Sequence, residues 1–158
     1  MDKTTDMSEW ADWTDNTDAT RSADADALGQ RRRYERNVSA LWQDVKGSIN
    51  ETIRSVNSQI PEPSRVECAD SIAGGLALTR WSEYPVAFLD VSVDVDSGMI
   101  GCLYTFAAKP GDPYTEQHKV WLMRDVEAGI VVTDERGNAV SSCEELARQV
   151  VETYLANL

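Results

Sequence analysis

Histidine is nearly absent from this chain, and cysteine is sparse. The sequence contains one histidine, His118, and three cysteines, Cys68, Cys102 and Cys143, none of them in a Cys-x-x-Cys pair. This inventory excludes a multi-histidine metal site, and the cysteine spacing matches no zinc motif. We therefore predict neither a metal nor a cofactor. Three unpaired thiols are typical of a reducing compartment, so the sequence favours a cytoplasmic location.

Long apolar runs are also missing. No stretch approaches the ~18–20 apolar residues that a membrane-spanning helix needs. The chain starts with polar and charged residues, without the basic and apolar regions of a secretory signal, and we expect none there. The sequence thus predicts no membrane partner.

Basic side chains are also few relative to acidic ones. The chain of 158 residues has 15 Lys and Arg against 27 Asp and Glu, which gives a net charge of −12 and an isoelectric point near 4.4. Such a chain repels the phosphates of DNA and RNA at long range, so nucleic acid is disfavoured as a partner. An apolar fraction of 42% still allows a core, which excludes a fully disordered chain.

Residues 1–27 hold half of the net negative charge. This segment has eight acidic and two basic side chains, a net charge of −6, and few aliphatic residues. It cannot bury enough surface to offset the entropy lost on ordering, so we predict a disordered acidic leader over 1–27. Residues 28–158 are predicted to form a single α+β domain.

Two tryptophans lie within this leader. Trp10 and Trp13 are three residues apart and would share one side of a helical turn. An acidic segment with spaced aromatic residues can dock in a partner's groove and fold there. Alternatively, the two indoles fold back onto their own domain. The arginines that follow, at positions 31–33 and 36, are interpreted as the solvated start of a helix rather than as a nucleic-acid patch.

The clearest element is a long helix from about residue 31 to 59. Apart from the adjacent pair Leu41 and Trp42, its apolar positions recur at steps of three and four, and together they form one stripe: Tyr34, Val38, Leu41, Trp42, Val45, Ile49, Ile53, Val56 and Ile60. Two prolines, Pro61 and Pro63, stop the helix.

This helix is long for its own domain. A helix of ~29 residues spans ~43 Å, whereas a domain of ~130 residues has a radius of gyration of ~14 Å. We expect its first turns to project and to offer an apolar stripe to another protein or to a second copy in a homodimer. In the alternative interpretation the helix starts near Val38 and simply covers a sheet.

Between residues 65 and 134 the apolar positions alternate, which predicts an antiparallel meander of four or five strands. Residues 89–95 and 100–106 are predicted to pair across a four-residue loop, with Val95 opposite Ile100. This register places the apolar residues of both strands on one face of the sheet.

The end of the chain has strong signals for a helix. Ser141 and Ser142 precede Glu144 and Glu145, so either serine provides a capping box. The predicted fold is therefore α+β: a long N-terminal helix, an antiparallel meander of four or five strands, and a C-terminal helix packed on the sheet. One face of the sheet is predicted to be covered and the other to be partly open.

Three segments together resemble a set of small uncharacterised bacterial α–β–α proteins. They are Ala40-Leu41-Trp42 in a long helix, Asp96-Ser97-Gly98 between two strands, and Ser142-x-x-Glu145-Leu146-Ala147. The resemblance covers roughly residues 38–158 and rests on structural motifs, so it implies a fold and no activity. The layout, size and acidity are also similar to those of type III secretion chaperones, which would imply a dimer that binds an unfolded stretch of an effector.

A catalytic constellation is not visible in the sequence. His118 is predicted to share a strand face with Val120 and Leu122, where a lone histidine is more typical of an edge residue than of a general base. Asp90 and Asp94 share a strand face too, but four residues along a strand separate them by ~13 Å, too far for a carboxylate pair. We predict no catalytic residue and do not expect an enzyme.

Two classes of function follow. The predicted one is a non-catalytic protein-interaction module: an adaptor, a chaperone-like dimer, or an acidic inhibitor or immunity-type protein. Its predicted contact residues are Trp10, Trp13, Tyr34, Val38, Leu41 and Trp42. The alternative is a small-ligand-binding domain or an enzyme, with a pocket between the sheet and a helix lined by aromatic residues, namely Trp81, Tyr84, Tyr114 and Trp121.

Overall fold

The computed structural model describes the backbone of residues 3–158 and the side chains of residues 23–158. The chain divides into two units, Met1–Arg36 and Asn37–Leu158. Helix α1, Lys3–Asn57, contains the boundary between them, whereas the sequence predicted a boundary after residue 27. The sheet and the second helix belong entirely to the second unit.

In the first unit, helix α1 begins at Lys3, although the apolar periodicity indicated a start near residue 31. The residues before 28 are rich in Asp and Thr, which have low helix propensity, and no apolar stripe indicates a helix there. Most side chains of this leader lie outside the described residues, so the disorder predicted for 1–27 stays a prediction. Farther along, Arg31 donates to Glu35 at 2.8 Å, and its guanidinium lies over the Tyr34 ring.

A six-stranded sheet forms the centre of the second unit. Consecutive strands are neighbours and every pair is antiparallel, in the order β1 to β6: Glu67–Asp70, Leu76–Arg80, Val86–Asp94, Met99–Ala107, Thr115–Val126 and Gly129–Thr133. The predicted antiparallel meander is confirmed, with one strand more than the upper predicted number. Two short 3-10 helices, Glu62–Ser64 and Ile72–Gly74, precede β1 and β2.

The β3–β4 hairpin has a different register from the predicted one. Val93 lies opposite Ile100 and Asp94 opposite Met99, so the pairing is shifted by two residues. The reason is local, because the Asp94 carboxylate accepts from the backbone N–H groups of Asp96 and Ser97 at 3.0 and 3.3 Å and starts the turn earlier. A shift by two residues keeps each side chain on its predicted face.

Helix α2, Cys143–Ala156, packs on one face of the sheet, here called the inner face. Ser142 is the cap, since its hydroxyl accepts from the backbone N–H of Glu145 at 3.1 Å. Two buried phenols connect helix and sheet. Tyr104 Oη donates to the carbonyl of Val150 at 2.7 Å, and Tyr154 Oη donates to the carbonyl of Ala87 at 3.0 Å.

The part of α1 within the second unit packs on the same inner face. Its buried side chains continue the predicted stripe: Val38, Trp42, Val45, Ile49 and Ile53. The indole N–H of Trp42 donates to the carbonyl of Gly74 at 2.8 Å, and Lys46 pairs with Asp70 at the end of β1. The predicted α+β fold, with a long N-terminal helix, an antiparallel sheet and a C-terminal helix, is therefore confirmed.

The buried indole of Trp42 predicts a stability difference between two tryptophans. Trp42→Phe removes the hydrogen bond to Gly74 and leaves space in the core, so we expect a loss of ~1–3 kcal/mol in the free energy of unfolding. Trp81 is 67% exposed, so Trp81→Phe is expected to change stability by no more than ~0.5 kcal/mol. Urea unfolding followed by circular dichroism measures both. Equal losses for the two variants would contradict this packing.

The thiol of Cys102 lies in the apolar inner face, and burial raises its pKa to about 12. Because the thiolate is the nucleophile, we expect Cys102 in the folded protein to react with iodoacetamide at pH 8 at least about a hundredfold more slowly than in the unfolded chain. Mass spectrometry of peptides resolves each site. The half-buried Cys143 is the internal comparison, and equal labelling of Cys102 and Cys143 in the folded state would show the burial to be wrong.

Candidate interaction surface

The opposite side of the sheet, here called the outer face, carries the side chains that point away from both helices. The strand registers align them in rows across β3, β4 and β5, for example Asp90–Leu103–His118 and Ser92–Gly101–Val120. Among the residues that the structure describes, no helix packs over these rows. The predicted partly open face is therefore present.

The outer face is a mixture of apolar and polar side chains. Most of its larger apolar side chains are partly or largely exposed: Phe88, Met99, Leu103, Tyr114, Val120, Leu122 and Val131. Val86, at the start of β3, is buried. Phe88 and Tyr114 are ring neighbours, with centroids 6.4 Å apart. Isolated exposed apolar residues are ordinary, but a contiguous set on one sheet face is typical of a binding surface.

A shallow depression lies near the middle of this face, at Gly101. Because glycine has no side chain, the backbone of β4 is left uncovered there, and a cavity of about 280 Å³ opens between neighbouring side chains. Its outer-face lining consists of Asp90, Ser92, Leu103, His118 and Val120. A Cβ atom at position 101 would reach Ser92 Oγ at 3.4 Å, an ordinary contact, so packing in this fold does not demand glycine here.

Charge on the outer face is mainly negative. Four acidic side chains, Glu67, Asp90, Asp94 and Glu116, share it with one basic side chain, Arg124. Hydrogen bonds from the side chain and the backbone of Ser97 hold the pKa of Asp94 below its ordinary value, so it stays ionised. The second unit as a whole has 18 acidic and 9 basic side chains, a net charge of −9. The electrostatic field of this unit attracts cations.

Asp90, Ser92 and His118 are residue types that can form a catalytic triad, and all of them border the depression. Asp90 and His118 lie two strands apart, a distance of roughly 10 Å, and no hydrogen bond joins any two of the three side chains within the described part of the chain. A nucleophile and its base need a separation near ~3 Å. In this arrangement the three side chains do not form a hydrogen-bonded triad.

A second cavity, of about 340 Å³, lies where β5 borders helix α2 and the turn after β6. Its lining is polar and charged, and it includes Lys119, Trp121, Glu135, Arg136, Gln149 and Glu152. Several of these groups already have partners. Trp121 Nε1 donates to Gln149 at 3.1 Å, Lys119 donates to Thr153 at 2.6 Å, and Glu135 accepts from the backbone N–H of Val120 at 3.0 Å.

The predicted contact residues occupy several environments. The side chains of Trp10 and Trp13 lie outside the described residues. Tyr34 and Leu41 are half-buried, and their contact with a partner stays a prediction. Val38 and Trp42 are 1% and 6% exposed and belong to the core of the second unit, so a partner reaches them only by displacing that packing.

The four aromatic residues predicted to line one pocket do not lie together. Trp121 is buried on the inner face and borders the second cavity. Tyr114 contacts Phe88 on the outer face, and Trp81 and Tyr84 are exposed in the connection between β2 and β3. His118, Val120 and Leu122 do share a strand face, as predicted. The sequence reasoning missed Gly101, although a glycine inside an alternating strand is a known sign of close backbone approach.

In the part of the chain with described side chains, no three His, Cys, Asp or Glu residues lie close enough to hold a metal ion. Within the same part, no helix has the length and apolar character to cross a bilayer. Comparison with protein-family models, with curated proteins and with solved structures found no match, so the resemblances drawn from the sequence stay predictions.

Proposed function

We propose that this protein is a non-catalytic protein-interaction module that binds another protein through the outer face of its sheet. One observation carries the proposal: both helices of the second unit pack on the inner face, while exposed apolar side chains continue across the outer one. Protein interfaces combine an apolar centre with a polar margin, and the outer face has this composition.

The charge of the second unit favours a basic partner. At a net charge of −9, a second copy of the chain brings the same negative charge to the interface, whereas a basic protein is attracted. Of the roles predicted from the sequence, an acidic inhibitor or immunity-type protein fits this charge better than an adaptor or a chaperone-like homodimer. We also propose a cytoplasmic location, which the three free thiols support.

The proposal is tested by a single substitution on the outer face. Leu122 is 47% exposed, so Leu122→Lys is expected to leave the fold intact while it places a cation against a basic partner. The amount of protein that the full-length chain captures from its native cells is expected to fall at least about tenfold, since loss of an important interface contact costs ~1.4 kcal/mol or more. Quantitative mass spectrometry of the captured proteins measures the change.

Ile72 provides the matched control. It is 97% exposed and lies between β1 and β2, off the outer face, so Ile72→Lys makes the same chemical change elsewhere. Capture by Ile72→Lys is expected to equal that of the wild type. If Leu122→Lys captures the same proteins in the same amounts, the outer face is not the binding surface. A loss seen only in a chain lacking residues 1–27 would assign binding to the acidic leader with Trp10 and Trp13.

A small-ligand-binding domain or an enzyme is the second candidate, and the cavity between β5 and α2 favours it. Convergent charged groups of both signs in a concave site of about 340 Å³ are typical of a binding site for a polar metabolite. A thermal-shift screen of polar metabolites tests it: a true ligand is expected to raise the Tm of the wild type by several degrees and that of Arg136→Gln by less. Equal shifts, or no shift across the screen, would argue against this site.

A further inference from the structure

We infer that the depression at Gly101 receives one lysine or arginine side chain of a basic partner protein. This inference rests on the proposed binding through the outer face and adds to it the chemistry of the residue that the face recognises. It follows from three features of the depression: its shape, the apolar side chains beside it, and a carboxylate without a cation.

Shape comes first. The cavity of about 280 Å³ is shallow and open, and it exists because strand β4 has no side chain at position 101. The neighbours in the same row have short side chains, Ser92 on β3 and Val120 on β5. A single extended side chain from a partner fits such a space, whereas a folded domain does not enter it.

The apolar contribution comes from Leu103 and Val120, which border the depression on two sides and are both partly exposed. Lysine and arginine have three- or four-carbon stems that bury against apolar surface while the charged end reaches polar groups. Leu103 and Val120 therefore suit the stem of such a side chain.

The polar contribution comes from Asp90, which lies directly opposite Leu103 on β3 and is exposed. None of the described residues forms an ion pair with it. Lys119 borders the cavity, but its ammonium group donates to Thr153 on helix α2, which packs on the inner face. A partner that covered Asp90 with apolar surface alone would leave a buried carboxylate without a counter-charge, which is costly. A lysine or arginine supplies that charge, and the Ser92 hydroxyl can accept a further hydrogen bond.

The experiment selects peptides without knowledge of the natural partner. A displayed library of random 12-residue peptides is panned on the immobilised full-length chain, and synthetic copies of the enriched peptides are titrated by fluorescence anisotropy. We expect a lysine or arginine between apolar residues in these peptides. Asp90→Asn and Gly101→Val are each expected to weaken their binding at least tenfold, the first by removing the charge and the second by filling the depression.

Matched controls separate these effects from general charge or glycine effects. Asp112→Asn makes the same change in the loop between β4 and β5. Gly47→Ala adds a methyl group on helix α1, where nothing beyond the adjacent residues and the helix's own backbone lies within 4 Å. Both are expected to bind the peptides as the wild type does. Replacing the peptide's basic residue by norleucine is expected to reproduce the loss seen with Asp90→Asn.

Three results would overturn the inference: norleucine peptides that bind as tightly as the basic ones, peptides that bind Gly101→Val unchanged, or a selection with no basic residue enriched. Peptides that lack a basic residue but lose binding in Leu122→Lys would contradict this inference alone and leave the proposed outer-face interaction standing. Peptides whose affinity is unchanged by every outer-face substitution would contradict both this inference and the proposed outer-face interaction.

Discussion

The burial of one sheet face under two helices is the constraint on which the second unit depends. Tyr104 and Tyr154 show it most directly, because each places a phenolic hydroxyl in the interior and must find an acceptor there. Their hydrogen bonds to the carbonyls of Val150 and Ala87 run in opposite directions, from sheet to helix and from helix to sheet. Apolar packing alone would allow α2 to slide along the sheet, whereas two directional bonds define its position. Trp42 anchors α1 in the same way through Gly74.

A consequence of this arrangement is that the two faces of the same strands have different roles. The pleat alternates side chains between faces, so Cys102 and Tyr104 are buried while Gly101 and Leu103 lie on the opposite side. The inner face is covered by the two helices that pack on it. The outer face combines partly exposed apolar side chains, an excess of carboxylates and one position without a side chain. These are properties that the core does not require, and they support the proposed binding of a basic protein.

Much of the architecture was predictable because it depends on periodicity. The helical stripe around Val45 and Ile49, the alternation in β3 and β4, and the serine cap of α2 all appeared in the structure as expected. The hairpin register was wrong by two residues, because hydrophobic alternation repeats every two residues and cannot distinguish those pairings. The hydrogen bonds of Asp94 decided between them. The apolar stripe does not show which surface covers it. Val38 and Trp42 were predicted to contact a partner, and in the structure both are buried within their own chain.

By itself, the sequence determined the α+β class, the antiparallel meander and the acidic character, since these follow from local spacing and composition. It also indicated that one face of the sheet would be partly open. Only the tertiary structure decided that both helices of the second unit share one face, and that Asp90, Leu103, His118 and Gly101 meet on the other. The physical reason is that these residues come from three strands, and their proximity arises from cross-strand hydrogen bonding between segments far apart in the chain. Hydrophobic alternation predicts which face of the sheet each residue takes, but it leaves the register between neighbouring strands undecided by two residues.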